Sequence, residues 1–258
     1  MEGSKEKATP MATNIQLNSD SAGEYLDEKS SIRYQSGIGA LMFLMVATRP
    51  DIAFTLSILS RFTAKPQKLH EAAFQRLLRY LKSSTRRGIT YSSGDLIGYT
   101  DADFGGSVVT DGAYSTSGYV FKLAGGPISW SSKRQGEIAT STTHAEYIGQ
   151  YNAILQLQWL RTILQETNLH ITPTTHIYAD NQSAIALSQN PEFHKRTKHF
   201  NVKLHYQRAV LETGAIQIGY IPTQEEAADG LTKPLALSQF KTFLNQLGIQ
   251  DNPVQTTA

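Results

Sequence analysis

The chain has 258 residues, 40% of them hydrophobic, with 24 Lys and Arg against 22 Asp and Glu and no cysteine. That is the composition of an ordinary globular chain with room for one large domain plus an appendage, and it excludes disulfides and thiolate metal sites. No run approaches the roughly 18 apolar residues of a membrane span, and a net charge of +2 is too small to announce a nucleic-acid partner except through local patches.

The first 30 residues are polar, mixed in charge and without period, and read as a flexible tail or linker; they lack the apolar core of a secretory signal. From Ile32 to Ala47 apolar residues recur at helical spacing, until Arg49-Pro50-Asp51 breaks the pattern. Asp51 is placed to cap a second helix running to Phe62, and Pro66 separates a third from about Gln67 to Lys82. Residues 31–87 therefore predict a small helical subdomain.

Beyond Gly88 the period shortens towards two. Ile89 to Tyr91, Leu96 to Asp101, Ser117 to Leu123 and Pro127 to Ser131 read as strands, the last two joined at Gly125-Gly126. A long helix follows from Thr142 to Gln165, opened by a Ser/Thr cluster. Then come a strand His176–Ala179, a short helix Asn181–Ser188, a helix Lys203–Glu212 stopped by Gly214, a strand Ala215–Ile221 and a last helical segment from near Glu225. Residues 88–248 thus predict an α/β domain with a mixed sheet flanked by helices, and 249–258 a C-terminal tail. There is no internal repeat.

Four carboxylates stand at element ends. Asp101 closes one strand, Asp180 another, Glu146 lies in the opening turns of the long helix, and Asp229 sits in Ala227-Ala-Asp-Gly-Leu-Thr-Lys-Pro234. An aspartate at a strand end is usually a turn former or helix cap. If the strands of Asp101 and Asp180 are parallel neighbours, however, both carboxylates leave the sheet at one edge. Crowded carboxylates repel unless a cation neutralises them, and Mg²⁺ prefers oxygen ligands. Two such ions can activate water and stabilise the leaving oxygen in phosphodiester hydrolysis.

The motifs Gly98-Tyr-Thr-Asp-Ala-Asp-Phe-Gly-Gly106, Ser131-Ser-Lys-Arg-Gln135, Ala145-Glu-Tyr147, Ala179-Asp-Asn-Gln-Ser-Ala184 and Ala228-Asp-Gly-Leu-Thr-Lys-Pro-Leu235 closely resemble the ribonuclease H domain of copia-type LTR retrotransposons. Upstream, Ala47-Thr-Arg-Pro-Asp-Ile52 and Arg76-Leu-Leu-Arg-Tyr-Leu-Lys82 resemble the connection between that domain and the polymerase thumb. The resemblance implies a ribonuclease H-like mixed five-stranded sheet flanked by helices and preceded by a helical connection subdomain. It implies catalytic and metal-ligating roles for Asp101, Glu146, Asp180 and Asp229, Mg²⁺ with Mn²⁺ as substitute, and hydrolysis of RNA paired with DNA. The reverse transcriptase domain of the same polyprotein is the implied protein partner, and the implied location is intracellular, in retrotransposon particles. Asp103 is not counted as a ligand and is expected to cap the turn.

Two departures from the family pattern stand out. Many ribonuclease H enzymes carry a mobile histidine before the last aspartate, and Tyr220 to Asp229 contains none. The paired-aspartate motif of polymerases is also missing, so the segment is not expected to copy nucleic acid. Substrate contacts are expected from Lys133, Arg134 and Gln135, from Asn181 and Gln182, and from the basic run Lys195, Arg196, Lys198 and His199. The competing reading is a catalytically silent retroelement fragment that binds nucleic acid or protein. A third is a relic stable only beside its polymerase.

Overall fold

In a computed structural model the chain is described for residues 3–18, 23–105, 114–169, 171–189 and 201–251. Three helices come first. The Asp27 carboxylate accepts from the Ser30 amide at 2.7 Å and starts α1 (Glu28–Ala47). A one-turn helix at Pro50–Ile52 leads into α2 (Ala53–Leu59), and α3 (Lys68–Ser83) follows Pro66. Asp51 is not the cap its position predicts. It is buried in the Pro50–Ile52 turn, where it accepts from Arg49 Nε at 2.9 Å, Arg49 Nη2 at 2.8 Å and the Tyr80 hydroxyl. An arginine two residues away outcompetes the backbone amides for its oxygens.

The main sheet is mixed and five-stranded: β2 (Ile97–Asp103), β3 (Thr116–Leu123), β4 (Gly126–Arg134), β5 (Thr175–Ala179) and β6 (Ile216–Tyr220), in the order β4-β3-β2-β5-β6. The meander β2-β3-β4 is antiparallel, while β2-β5 and β5-β6 are parallel, joined through α4 (Thr142–Glu166), then α5 (Gln182–Gln189) and α6 (Asn201–Glu212). This is the ribonuclease H-like sheet that the resemblance implies. One face packs on α4, where Ile154 and Leu157 meet Phe121, Ile177 and Ile218. Among the described residues no helix is long and apolar enough to cross a membrane.

The helical segment packs against the sheet, and three expectations from the sequence are corrected below. Ile52, Phe54, Leu77 and Tyr80 share one buried cluster with Val120 of β3, Leu231, Phe240 and Phe243, so the sheet's second face and the first helices form a common core. The Trp130 indole donates to the Met45 carbonyl at 3.2 Å across this junction. Residues within the presumed tail are also packed. Met11 and Leu17 are buried, the Leu17 carbonyl meets the His70 ring at 3.0 Å, and Arg76 donates to the Thr9 hydroxyl at 2.8 Å. Two isolated apolar residues suffice to anchor a strap when a groove between helices receives them, and such a pair leaves no period to read. Finally, Ile249–Asp251, placed in a C-terminal tail, form β7, which pairs antiparallel with β1 (Arg87–Ile89). The last helix begins later than the sequence predicts. Residues 229–231 make a single turn, and α7 (Leu237–Gln246) starts beyond Pro234.

Candidate active site

The parallel register of β2 and β5 pairs Ile97 with His176 and Tyr99 with Tyr178. Continuing it brings Asp101 level with Asp180, which follows β5 directly. Glu146 reaches the same edge from the second turn of α4. The helix start is fixed by Ser141, whose hydroxyl accepts from the His144 amide at 3.1 Å. One turn on, Gly149 lets α4 lie close to β2: a Cβ there would stand 3.4 Å from the Asp101 carbonyl and the Thr100 hydroxyl. Gly118, the register partner of Asp101 on β3, does the same for the segment that follows β6. A Cβ at Gly118 would come within 2.7 Å of Leu231 and 3.0 Å of Thr232. Only glycine lets the 228–232 turn sit this close to the sheet.

The result is a carboxylate cluster. Asp101, Glu146 and Asp180 each offer an oxygen, all within 4.8 Å of one another, and the first two are only 5% and 6% exposed. Hydroxyls hold two of them: Thr232 donates to Asp101, and Thr223 donates to Asp180 at 2.7 Å. Glu146 Oε2 is buried without a hydrogen-bond partner among the described residues. Asp229 lies outside the close trio. Its carboxylate pairs with Lys233, yet its charge acts on Asp101. Asp103 does not cap the turn with both oxygens, since its Oδ2 is buried and unpartnered among the described residues.

Burial and mutual repulsion set the electrostatics. Desolvation, then Asp229, push Asp101 up to about 6 against the opposing Thr232 hydrogen bond. Desolvation, then Asp101 and Asp180, push Glu146 to about 10. Asp103 rises to about 6 through burial. The Lys233 ammonium is held up by Asp229, Asp101 and Asp180 against its own desolvation. Such a set fits a divalent cation: three convergent oxygens from separate elements, one of them unpaired, in a field that favours positive charge.

A stability prediction follows. A carboxyl whose folded pKa lies above its unfolded value of about 4 stabilises the fold below that pH, and the contribution is lost as pH rises. For Asp101 the loss falls between about 4 and 6. A divalent cation opposes it by competing with the proton. Thermal melts should therefore show a gain on adding Mg²⁺ that is larger at pH 8 than at pH 5 and disappears in Asp101→Asn. An equal gain at both pH values would contradict the assignment.

The other sequence candidates are distributed as follows. Lys133 and Arg134 are exposed at the end of β4, with Arg134 lying 5.1 Å over the Tyr114 ring. Both line a groove of about 590 Å³ with Ser117, Asn152 and Lys203, beside α4. Gln135 is not a surface contact. It is 4% exposed, and its Nε2 donates to the Ser117 hydroxyl and the Ala145 carbonyl, both at 2.8 Å. It ties β4 to the helix that carries Glu146. Asn181 caps α5 through Oδ1, which accepts from the Ala184 amide at 3.0 Å, and Gln182 is exposed beside it. Lys195, Arg196, Lys198 and His199 lie outside the described residues.

Sequence reasoning missed Thr223, Thr232, Lys233 and Glu226. Thr232 and Lys233 sit in the Ala228–Leu235 motif already singled out, and their signal was proximity to Asp229, whereas Thr223 carried none. Glu226 had no signal separating it from its neighbour Glu225.

No family model matches the chain. It is 38% identical over 257 residues to the retrovirus-related Pol polyprotein from transposon TNT 1-94 of Nicotiana tabacum, covering 98% of this chain and 19% of that protein. The chain thus spans about a fifth of that relative's length. A second relative, secreted RxLR effector protein 161 of Plasmopara viticola, is 41% identical over 140 residues, which are 53% of this chain and 97% of the effector. Among solved structures, LC11-RNase H1 in complex with an RNA/DNA hybrid matches with a TM-score of 0.38 at 17% identity, covering 54% of this chain and 94% of that one.

Proposed function

The chain belongs to the retrovirus-related Pol polyproteins of copia-type transposons, and we propose that it is the ribonuclease H of such a polyprotein, a metal-dependent nuclease that hydrolyses the RNA strand of RNA–DNA hybrids. The observation that carries this reading is the convergence of Asp101 of β2, Glu146 of α4 and Asp180 just beyond β5 within 4.8 Å. Structural acids seldom gather from three elements with a buried oxygen left unpaired.

Asp101, Glu146 and Asp180 would hold Mg²⁺, or Mn²⁺ in its place, and Asp229 would join them by exchanging Lys233 for the cation. Bound there, the metal supplies a polarised water and neutralises charge at the scissile phosphate during an in-line displacement. The chain's own part is orientation. Thr232 and Thr223 fix the Asp101 and Asp180 carboxylates, and burial strengthens each electrostatic contact by excluding water. Lys133, Arg134 and Lys203 would carry the nucleic-acid backbone along the groove beside α4. The polymerase portion of the same polyprotein is the proposed protein partner.

Backbone contact of this kind is salt-dependent. Replacing Lys133 and Arg134 together by alanine should weaken hybrid binding at every sequence and lower the slope of log affinity against log salt by about 2, roughly one for each phosphate no longer neutralised. Fluorescence anisotropy over a salt series checks this, and an unchanged slope removes both residues from the interface. Cleavage of hybrid, duplex DNA and duplex RNA under the same conditions tests the substrate class, since the reading requires the hybrid to be cut in preference to either.

A binding role without cleavage is the second reading. It predicts hybrid or protein binding with no RNA product under either metal.

A further inference from the structure

A further buried carboxylate lies beside Asp229. Glu226 precedes Asp229 by three residues, directly after the turn Thr223–Glu225, and is 1% exposed, whereas Glu225 beside it is exposed. One of its oxygens is accounted for: Oε1 accepts from the Ala228 amide at 2.9 Å. The other, Oε2, is buried with no hydrogen-bond partner among the described residues. Glu226 and Asp229 line a common cavity of about 320 Å³ with Lys233 and Thr223, the residues that contact Asp229 and Asp180.

We propose that Glu226 is a positioning carboxylate of this centre, whose free Oε2 serves the divalent cation held by Asp101, Glu146 and Asp180 and raises the affinity of the site for it. Three observations support the assignment. A buried anionic oxygen without a donor is costly unless a cation or its water satisfies it. The charges that act on Glu226 are those of the cluster itself, Asp101 first, then Asp180 and Glu146, and together with burial they push its carboxyl well above the usual range. The Ala228 hydrogen bond holds the side chain in place, so Oε2 is presented at a fixed position. Groups that support metal ligands from behind typically change metal affinity by about 10- to 100-fold when removed.

This inference rests on the reading of the trio as a metal centre. Mn²⁺ titration of the whole chain, followed by electron paramagnetic resonance of the free ion, tests both without using activity. Glu226→Gln keeps the volume and the oxygen that accepts from Ala228 but removes the charge. It should lower Mn²⁺ affinity at least about tenfold, while its melting temperature in EDTA stays equal to wild type or rises. Glu225→Gln makes the same charge change on the exposed neighbour and should leave affinity unchanged. Glu226→Asp keeps the charge and should retain more affinity than Glu226→Gln; should the glutamine variant not fold, Glu226→Met, neutral and of similar volume, takes its place in both comparisons. Wild-type affinity in Glu226→Gln, or equal loss in Glu225→Gln, or loss in Glu226→Asp as large as in Glu226→Gln, overturns the proposal alone. If the wild-type chain takes up no Mn²⁺, the metal-centre reading itself fails and the role of Glu226 goes with it.

Discussion

Asp101→Asn should abolish hydrolysis of the hybrid, lowering the rate by at least about a thousandfold, or some 4 kcal/mol of transition-state stabilisation, while the protein folds and binds. Asp101 is the hub of the cluster. It neighbours Glu146 and Asp180 within 4.8 Å, it accepts from Thr232, and its charge is felt at Glu146, Glu226 and Lys233. Asparagine has the same shape but supplies one neutral oxygen where an anionic pair stood. The variant should keep its affinity for hybrid or gain some, since a negative charge beside the phosphates is removed. In EDTA at pH 8 it should also melt no lower than wild type, because the buried charge that asparagine replaces destabilises the metal-free fold. Asp180→Asn should lose cleavage likewise. Single-turnover cleavage with anisotropy on the same samples separates loss of chemistry from loss of binding. Cleavage by Asp101→Asn within tenfold of wild type would remove this residue from the site.

The second large effect concerns stability and lies away from the chemistry. Arg49 and Asp51 form a buried ion pair joined by two hydrogen bonds, with the Arg49 guanidinium also donating to the Ser84 carbonyl at 3.1 Å and hydroxyl at 2.8 Å. Tyr80 donates to Asp51 from α3. Removing one member leaves the other buried and uncompensated, which costs about 3–5 kcal/mol. Asp51→Ala should therefore lower the melting temperature by roughly 6–20 °C in a chain of this size. Glu24→Ala breaks the pair between Glu24 and Lys68, whose side chains are 68% and 62% exposed, and should change stability by less than about 1 kcal/mol. Because Ile52 and Phe54 share a core with β3 and the 229–231 turn, the Asp51→Ala protein should unfold in one transition rather than shedding its helices first. Two resolved transitions in calorimetry would show instead that the helical segment is independent of the sheet.

How far the sequence carries can be seen residue by residue. The strands of Asp101 and Asp180 are legible from their short period, although β2 runs two residues past Asp101 to Asp103 and β5 ends at Ala179, just before Asp180. Glu146 is legible because the Ser/Thr cluster at 140–143 marks a helix start and fixes the turn it occupies. What escapes is long-range placement. Nothing local distinguishes Glu226, 1% exposed, from Glu225 one residue earlier, because the difference is made by tertiary packing around the carboxylate that accepts from the Ala228 amide. Gln135 sits in a basic motif and looks like a surface contact, yet its amide is used to join β4 to α4. The packed strap around Met11 and Leu17, the pairing of β1 with β7 and the shared core of helices and sheet all depend on which surfaces meet. A period of two or of 3.6 residues does not encode that.

The central claim is tested most directly by incubating the purified chain with an RNA–DNA hybrid labelled on both strands, in Mg²⁺, in Mn²⁺ and in EDTA. The prediction is that the RNA strand is cut with either metal, that the DNA strand stays whole, and that EDTA stops the reaction. Hybrid that is bound but left intact under both metals would contradict the nuclease assignment and leave the binding reading in its place.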